Sequence, residues 1–285
     1  MAQQQLGANG GMLPDPPPMI NSHSSQILLI LALTASATLW YELVNRLLRE
    51  EPVVPPRSVP PVSWPTWIPC VALPLGIVLV LLLQYGLTRQ GANLLQGVQA
   101  SCIARLGVLG LLLGLPRLAG HWLRSDLGVD PQPWWTEVRL GLATALVVFP
   151  LVFGLNLFMR AEGWYGRNAV HPMLALLRDH PSLETGFWVV LAAAVLAPLF
   201  EELLYRVFLQ GTWSAHSPPW LTIPVTALLF SAVHMRRGQP DGIPLLPLAL
   251  GLGLLYHQRR SYLGVVTAHA LFNGISITLA FLDAI

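Results

Sequence analysis

The amino-acid sequence predicts an all-α fold, a polytopic transmembrane helical bundle of about eight spans, and three observations carry that expectation. Of 285 residues, 54% are apolar and only 11% charged, where an ordinary soluble domain carries about 25% charged residues. The apolar residues gather into runs that approach the roughly 20 residues needed to cross a bilayer. A chain in lipid must satisfy its own backbone hydrogen bonds, which selects helices for every run.

The first 25 residues contain no Arg and no apolar core, which argues against a secretory signal. Gln, Gly and Pro dominate them, so residues 1–25 are expected to form a disordered tail. Apolar runs follow at Gln26–Val44, Trp67–Leu87, Ser101–Leu118, Val138–Met159, Phe187–Gln210, Trp220–His234, Ile243–Tyr256 and Leu263–Phe281. The runs beginning at Trp220 and Ile243 are short, so they are expected to be buried among the others, to tilt little or to be interrupted at Pro224 and Pro247. Between the first two runs, the prolines of residues 51–65 favour polyproline II and predict a semi-rigid exposed spacer. The polar stretch from Arg160 to Thr185 reads as the main loop between two halves. The expected organisation is therefore an amino-terminal membrane region over 26–160 and a carboxyl-terminal membrane core over 187–281. Trp134, Trp135, Trp164 and Trp188 fall near span ends, where aromatic belts form.

All sixteen basic residues are Arg, a compositional bias of the coding genome rather than a functional signal. A net charge of +2 offers no basic stripe for nucleic acid. Orientation is not set by charge. Arg46, Arg49, Arg57, Arg117, Arg124, Arg259 and Arg260 fall on one side, and Arg89, Arg160, Arg167, Arg178, Arg236 and Arg237 on the other. Arg105 and Arg139 lie near span edges. Cys70 and Cys102 form no CxxC and no metal-ligand spacing, so both are expected to be buried structural residues rather than a disulfide.

Ionisable residues inside membrane spans are costly and are functional by default. Glu201, Glu202, His234 and His269 fall inside the apolar runs, with Arg206 close by. In APLFEELLYRVFLQG, residues 197–211, Glu202 and Arg206 stand at i and i+4 and can pair on one face. Glu201 is turned about 100° away and lacks that partner. A desolvated carboxylate suits a general base, and Pro198 is expected to bend the helix beside it. The alternative is that both carboxylates end a span at the interface, with Arg206 snorkelling. Phe230 and His234 share a face in LLFSAVHM, as do His269 and Asn273 in VVTAHALFNGIS. The latter pair can polarise a carbonyl or stabilise an oxyanion, or can bind helices together. At about 1.5 Å per residue, Glu201 lies roughly 14 Å from Gln210, His269 about 12 Å from Ser261 and His234 roughly 22 Å from Pro219. Bringing the second motif level with the others calls for an earlier helix start, a tilt or a break at Pro224.

EExxxR at 201–206, FxxxH at 230–234 and HxxxN at 269–273, in this order on separate helices, resemble the CAAX protease and bacteriocin-processing (CPBP/Abi) family. These are glutamic intramembrane endopeptidases related to the type II CAAX prenyl endopeptidases. The resemblance covers about residues 187–281, and the amino-terminal half rests on hydropathy alone. It implies a helical core around a polar cavity, in which Glu201 and His234 activate a water. It further implies that His269 and Asn273 stabilise the tetrahedral intermediate, with Glu202, Arg206 and Phe230 supporting the site.

The implied function is hydrolysis of peptide bonds in membrane-associated peptides or proteins. The alternative is a non-catalytic membrane scaffold or immunity protein that uses the same cavity to hold a partner. The expected partners are membrane lipids and a peptide or protein substrate, and no nucleic acid. No cofactor is expected. Zinc is the runner-up, against which stands the lack of an HExxH pattern. The expected location is the bacterial plasma (inner) membrane.

Overall fold

The computed structural model describes residues 22–59, 62–88, 92–118, 125–129, 133–165, 172–235 and 239–282. Every expected apolar run is helical, and there is no β-strand among the described residues. The helices are α1 (His23–Leu48), α2 (Trp67–Leu87), α3 (Leu94–Leu118), α4 (Trp134–Ala161) and α5 (Pro172–Asp179). They continue with α6 (Leu183–Trp213), α7 (Pro219–Val233), α8 (Leu246–Arg259) and α9 (Tyr262–Leu282). Six of them, α1, α2, α3, α4, α6 and α9, are long and apolar enough to cross a membrane. With the shorter α7 and α8 they account for the eight expected runs, and the chain is an integral membrane protein.

α6 is the axis of the bundle. α2 packs on its residues 203–210, α3 on 191–196, and α9 along 191–202. α4 leans on α8 and α9, and α7 pairs with α8. α4 and α9 cross closely, since a Cβ on Gly141 would run into the Gly264 carbonyl. Small residues let membrane helices approach in this way. Large apolar side chains such as Leu31, Leu81, Leu82, Tyr85, Leu228 and Val233 point outward from the bundle, as lipid-facing positions should.

α6 is not a uniform α-helix. Leu191–Leu196 and Leu203–Gln210 are π-helical, and Ala197–Glu202 between them is α-helical. The helix type changes at the residue before Pro198, which lies in the first turn of the α segment. α7 runs unbroken through Pro224. Pro247 lies in the first turn of α8, after the 3₁₀ turn Ile243–Leu245, where its missing N–H costs nothing.

Several expectations are corrected. The spacer, described at 51–59 and 62–65, is partly docked and not wholly exposed: Val54 and Trp64 are buried. Arg57 N donates to the Gln258 carbonyl at 2.9 Å, and Arg259 Nη1 to the Pro55 carbonyl at 3.0 Å. Ser63 donates N–H and O–H to Asp126 at 2.9 and 2.6 Å, and Trp64 Nε1 donates to Thr212 Oγ1 at 2.8 Å. Prolines remove donors but leave every carbonyl free to accept. The stretch 160–185 is not wholly loop, since it contains α5 and the start of α6. α1 begins at His23 behind a Ser22 cap, so residues 22–25 do not belong to a tail. The remaining tail, 1–21, lies outside the described residues, as do Arg89, Arg124, Arg167, Arg236 and Arg237 of the charge comparison. Cys102 is buried but Cys70 is exposed, and both are free thiols. Arg105 is not at a span edge. α3 starts at Leu94, which places Arg105 roughly 16 Å from one end of the helix and about 19 Å from the other.

Candidate active site

The three motifs meet where α6, α7 and α9 converge. Phe230 is fully buried at the centre of the group. Its ring lies 4.6 Å from the His234 ring, 5.7 Å from that of His269 and 5.5 Å from that of Tyr205, centroid to centroid. The Arg206 guanidinium stands 5.5 Å over the same ring. Phe230 therefore sets the spacing of the polar side chains around it.

Glu201 and His234 form one pair, with Oε2 and Nε2 3.4 Å apart. The distance allows attraction between charges, but the groups are not placed for a hydrogen bond, and Oε2 is buried without one. The other ring nitrogen of His234, Nδ1, lies 2.7 Å from the Phe230 carbonyl. A carbonyl only accepts, so Nδ1 carries a hydrogen, and in the neutral form of the ring Nε2 turns a lone pair toward Glu201. In that form two acceptors face each other at contact distance. His234 is the C-cap of α7 and remains 28% exposed at its side chain, against 17% for Glu201.

Glu202 and Arg206, both with no side-chain exposure, form the ion pair expected of i and i+4 spacing, Nε to Oε2 3.2 Å. The other carboxylate oxygen of Glu202 takes His269 Nδ1 at 2.8 Å. Arg206 also donates to Gln210 Oε1 at 3.3 Å, Thr226 Oγ1 at 3.5 Å and the Ala249 carbonyl at 3.1 Å. One guanidinium thus joins α6, α7 and α8. Gln210 Nε2 completes the array on the Gly253 carbonyl at 2.7 Å.

Asn273 stands apart from these pairs. Its Nδ2 donates to the Ala193 carbonyl at 2.7 Å, in the first π-helical stretch of α6, where the backbone departs from i to i+4 bonding. The second hydrogen on Nδ2 stays available. Tyr262 Oη ties α9 to the Leu199 carbonyl at 2.5 Å, just before Glu201.

Glu201 is thus paired with His234, Glu202 with Arg206 and His269, and Asn273 with the α6 backbone. Sequence reasoning missed Ala193, Gln210, Thr226, Ala249 and Tyr262. Gln210 and Thr226 carried a signal, four residues after Arg206 and four before Phe230, on the faces already singled out. The others act through backbone carbonyls or from outside the motifs, where residue type says little. Among the described residues, no group of three or more His, Cys, Asp and Glu side chains gathers as a metal-ligand set.

Residues 183–275 match the family model for type II CAAX prenyl endopeptidase Rce1-like proteins. The match agrees with the resemblance carried by the three motifs, and its range contains Glu201, Glu202, Arg206, Phe230, His234, His269 and Asn273. It supports a CAAX-type intramembrane protease at the level of the family. α1 to α5 lie outside it. No curated protein and no solved structure matches the chain.

Proposed function

We propose that the chain is an intramembrane endopeptidase of the bacterial plasma membrane that hydrolyses peptide bonds with a water activated by Glu201 and His234, without a cofactor. The observation that carries this reading is the facing pair of acceptors, a buried Glu201 Oε2 with no hydrogen bond and His234 Nε2 at 3.4 Å. A water beside the pair donates one hydrogen to Glu201 Oε2 and the other to Nε2 of the neutral His234 ring, and turns its lone pairs outward to a carbonyl carbon. As the C–O bond forms, Glu201 takes a proton, acting as general base. That proton then passes to the leaving amide nitrogen as the C–N bond breaks, leaving a carboxyl end and an amine.

The oxyanion that develops on the carbonyl oxygen needs donors. Asn273 offers its second Nδ2 hydrogen. His269 already donates from Nδ1 to Glu202, so donation from Nε2 as well requires the imidazolium form, and the Glu202 carboxylate is placed to balance that charge. Glu202 and Arg206 act on the reaction through His269 and by fixing α6 against α7 and α8. The substrate is a membrane-associated peptide or protein drawn to a depth where lipid excludes bulk water.

The direct test is cleavage of a peptide library by the purified chain in detergent, with and without a chelator. Cleavage that survives chelation is the expected result. Loss with chelator and recovery with zinc would transfer the activity to a metal mechanism, and no cleavage at all would favour the scaffold reading. Asn273→Ala should lower kcat about 10²-fold if its amide serves the oxyanion, with membrane abundance unchanged. An unaltered kcat would reduce Asn273 to a brace for the Ala193 carbonyl.

A further inference from the structure

Arg105 is the one charged side chain at the middle of α3, and the functional reading above leaves it unused. At roughly 16 Å from the nearer helix end it is too deep for its side chain to reach an interface by snorkelling. It shares a helical stripe with Ser101, Val108 and Leu112, all buried, and is itself half-buried, so it faces the bundle and not lipid. Its hydrogen-bond partner is the Ser101 hydroxyl, at 2.5 Å from Nη1, and among the described residues it makes no ion pair. α3 packs on residues 191–202 of α6, the segment that carries Glu201. An unpaired guanidinium in this position is expensive unless a ligand uses it.

A guanidinium has five N–H donors in a planar fork that matches a carboxylate, and Ser101 occupies one of them. Lipid phosphates lie at the membrane surface and do not reach the middle of a roughly 30 Å hydrocarbon core. A peptide drawn toward Glu201 does. We propose that Arg105 is a specificity-determining residue that binds a carboxylate of the substrate peptide, beside the bond presented to Glu201. This rests on the endopeptidase reading and adds the substrate class, a peptide carrying a carboxylate next to its scissile bond. The carboxylate has two sources, the carboxyl terminus and an Asp or Glu side chain.

The experiment uses the full chain in phosphatidylcholine nanodiscs and three peptides sharing one cleavable apolar core. The first ends in a carboxamide and has no acidic residue, the second ends in a free carboxylate, and the third ends in a carboxamide after a single Glu. The wild type should favour one of the two carboxylate peptides over the neutral one by about 10- to 100-fold in kcat/KM, the range of a charge-assisted hydrogen bond. Whichever peptide is favoured identifies the source. Arg105→Gln should remove the preference by lowering that peptide alone, and Arg105→Lys should keep part of it, having the charge without the fork. Equal losses on all three peptides, or a preference that survives in Arg105→Gln, would overturn the proposal and leave Arg105 as a counter-charge. Equilibrium binding of the same peptides to Glu201→Gln separates the two claims. A preference in binding that depends on Arg105, in a chain that cleaves nothing as wild type, supports the carboxylate site and refutes the protease.

Discussion

Glu201→Gln should fold, accumulate in the membrane at wild-type abundance and lose about 10²- to 10⁴-fold in kcat, the usual contribution of a general base. The substitution is nearly isosteric and keeps a polar group at the site. It also replaces one acceptor oxygen by a donor. Facing His234 Nε2, which carries a lone pair in the neutral ring, the new amide can donate to it directly and take the acceptor that the water would use. Removal of basicity and loss of that acceptor act in the same direction. The scaffold alternative forecasts the opposite, because a cavity that only holds a partner retains its shape and polarity. Complementation in the native host, with membrane abundance measured alongside, separates the two. Full complementation by Glu201→Gln at normal abundance would end the protease assignment and leave the fold standing.

The spans were legible because lipid leaves few solutions for a backbone, and each of the eight apolar runs lies in a helix. Their ends were less legible, for identifiable reasons. α3 begins seven residues before its apolar run, where Asn93 Oδ1 accepts from Gln96 N at 2.9 Å and Gln96 Oε1 accepts from Asn93 N at 3.0 Å. This reciprocal cap is written in the sequence as Asn followed three residues later by Gln, but the polar residues that make it interrupt the apolar run. The late start moved Arg105 to a span edge and hid its depth. α6 likewise continues to Trp213, past Gln210. Glu201 and His234 come within 3.4 Å of each other while α7 runs unbroken through Pro224, so no break at Pro224 is needed.

Within the site, the i and i+4 relations of Glu202 with Arg206, and of Phe230 with His234, could be read directly from helical geometry. The link between His269 and Glu202 could not. It joins α6 to α9 across 67 positions of sequence, and spacing along one helix says nothing about which faces meet. The π-helical turns were also invisible, because no residue pattern marks them as Pro marks a kink. The partly docked segment over 51–65 was misread for a related reason. Proline content reports the loss of donors, whereas the segment is held partly by an accepting carbonyl and by two apolar side chains.

Arg206→Ala should cost about 3–5 kcal/mol, the usual penalty for stranding one partner of a buried ion pair. Folded protein and activity should fall together. The Glu202 carboxylate, with no side-chain exposure, would keep only His269. Gln210, Thr226 and the Ala249 carbonyl would each lose a donor, loosening α6 from α7 and α8. Arg206→Lys should rescue little, because a point charge cannot reproduce a fork that reaches three helices. The informative variant replaces both charges, Glu202→Leu with Arg206→Met. A buried pair exchanged for apolar side chains of similar volume is often neutral or better in stability, so detergent-solubilised protein should regain much of its Tm and abundance. Activity should stay low, because His269 would have lost the acceptor that orients its ring. Recovery of stability without activity assigns the pair to positioning of His269. Recovery of both would show that the reaction does not depend on His269 being held, and wild-type stability in Arg206→Ala would show that the pair contributes nothing to the fold.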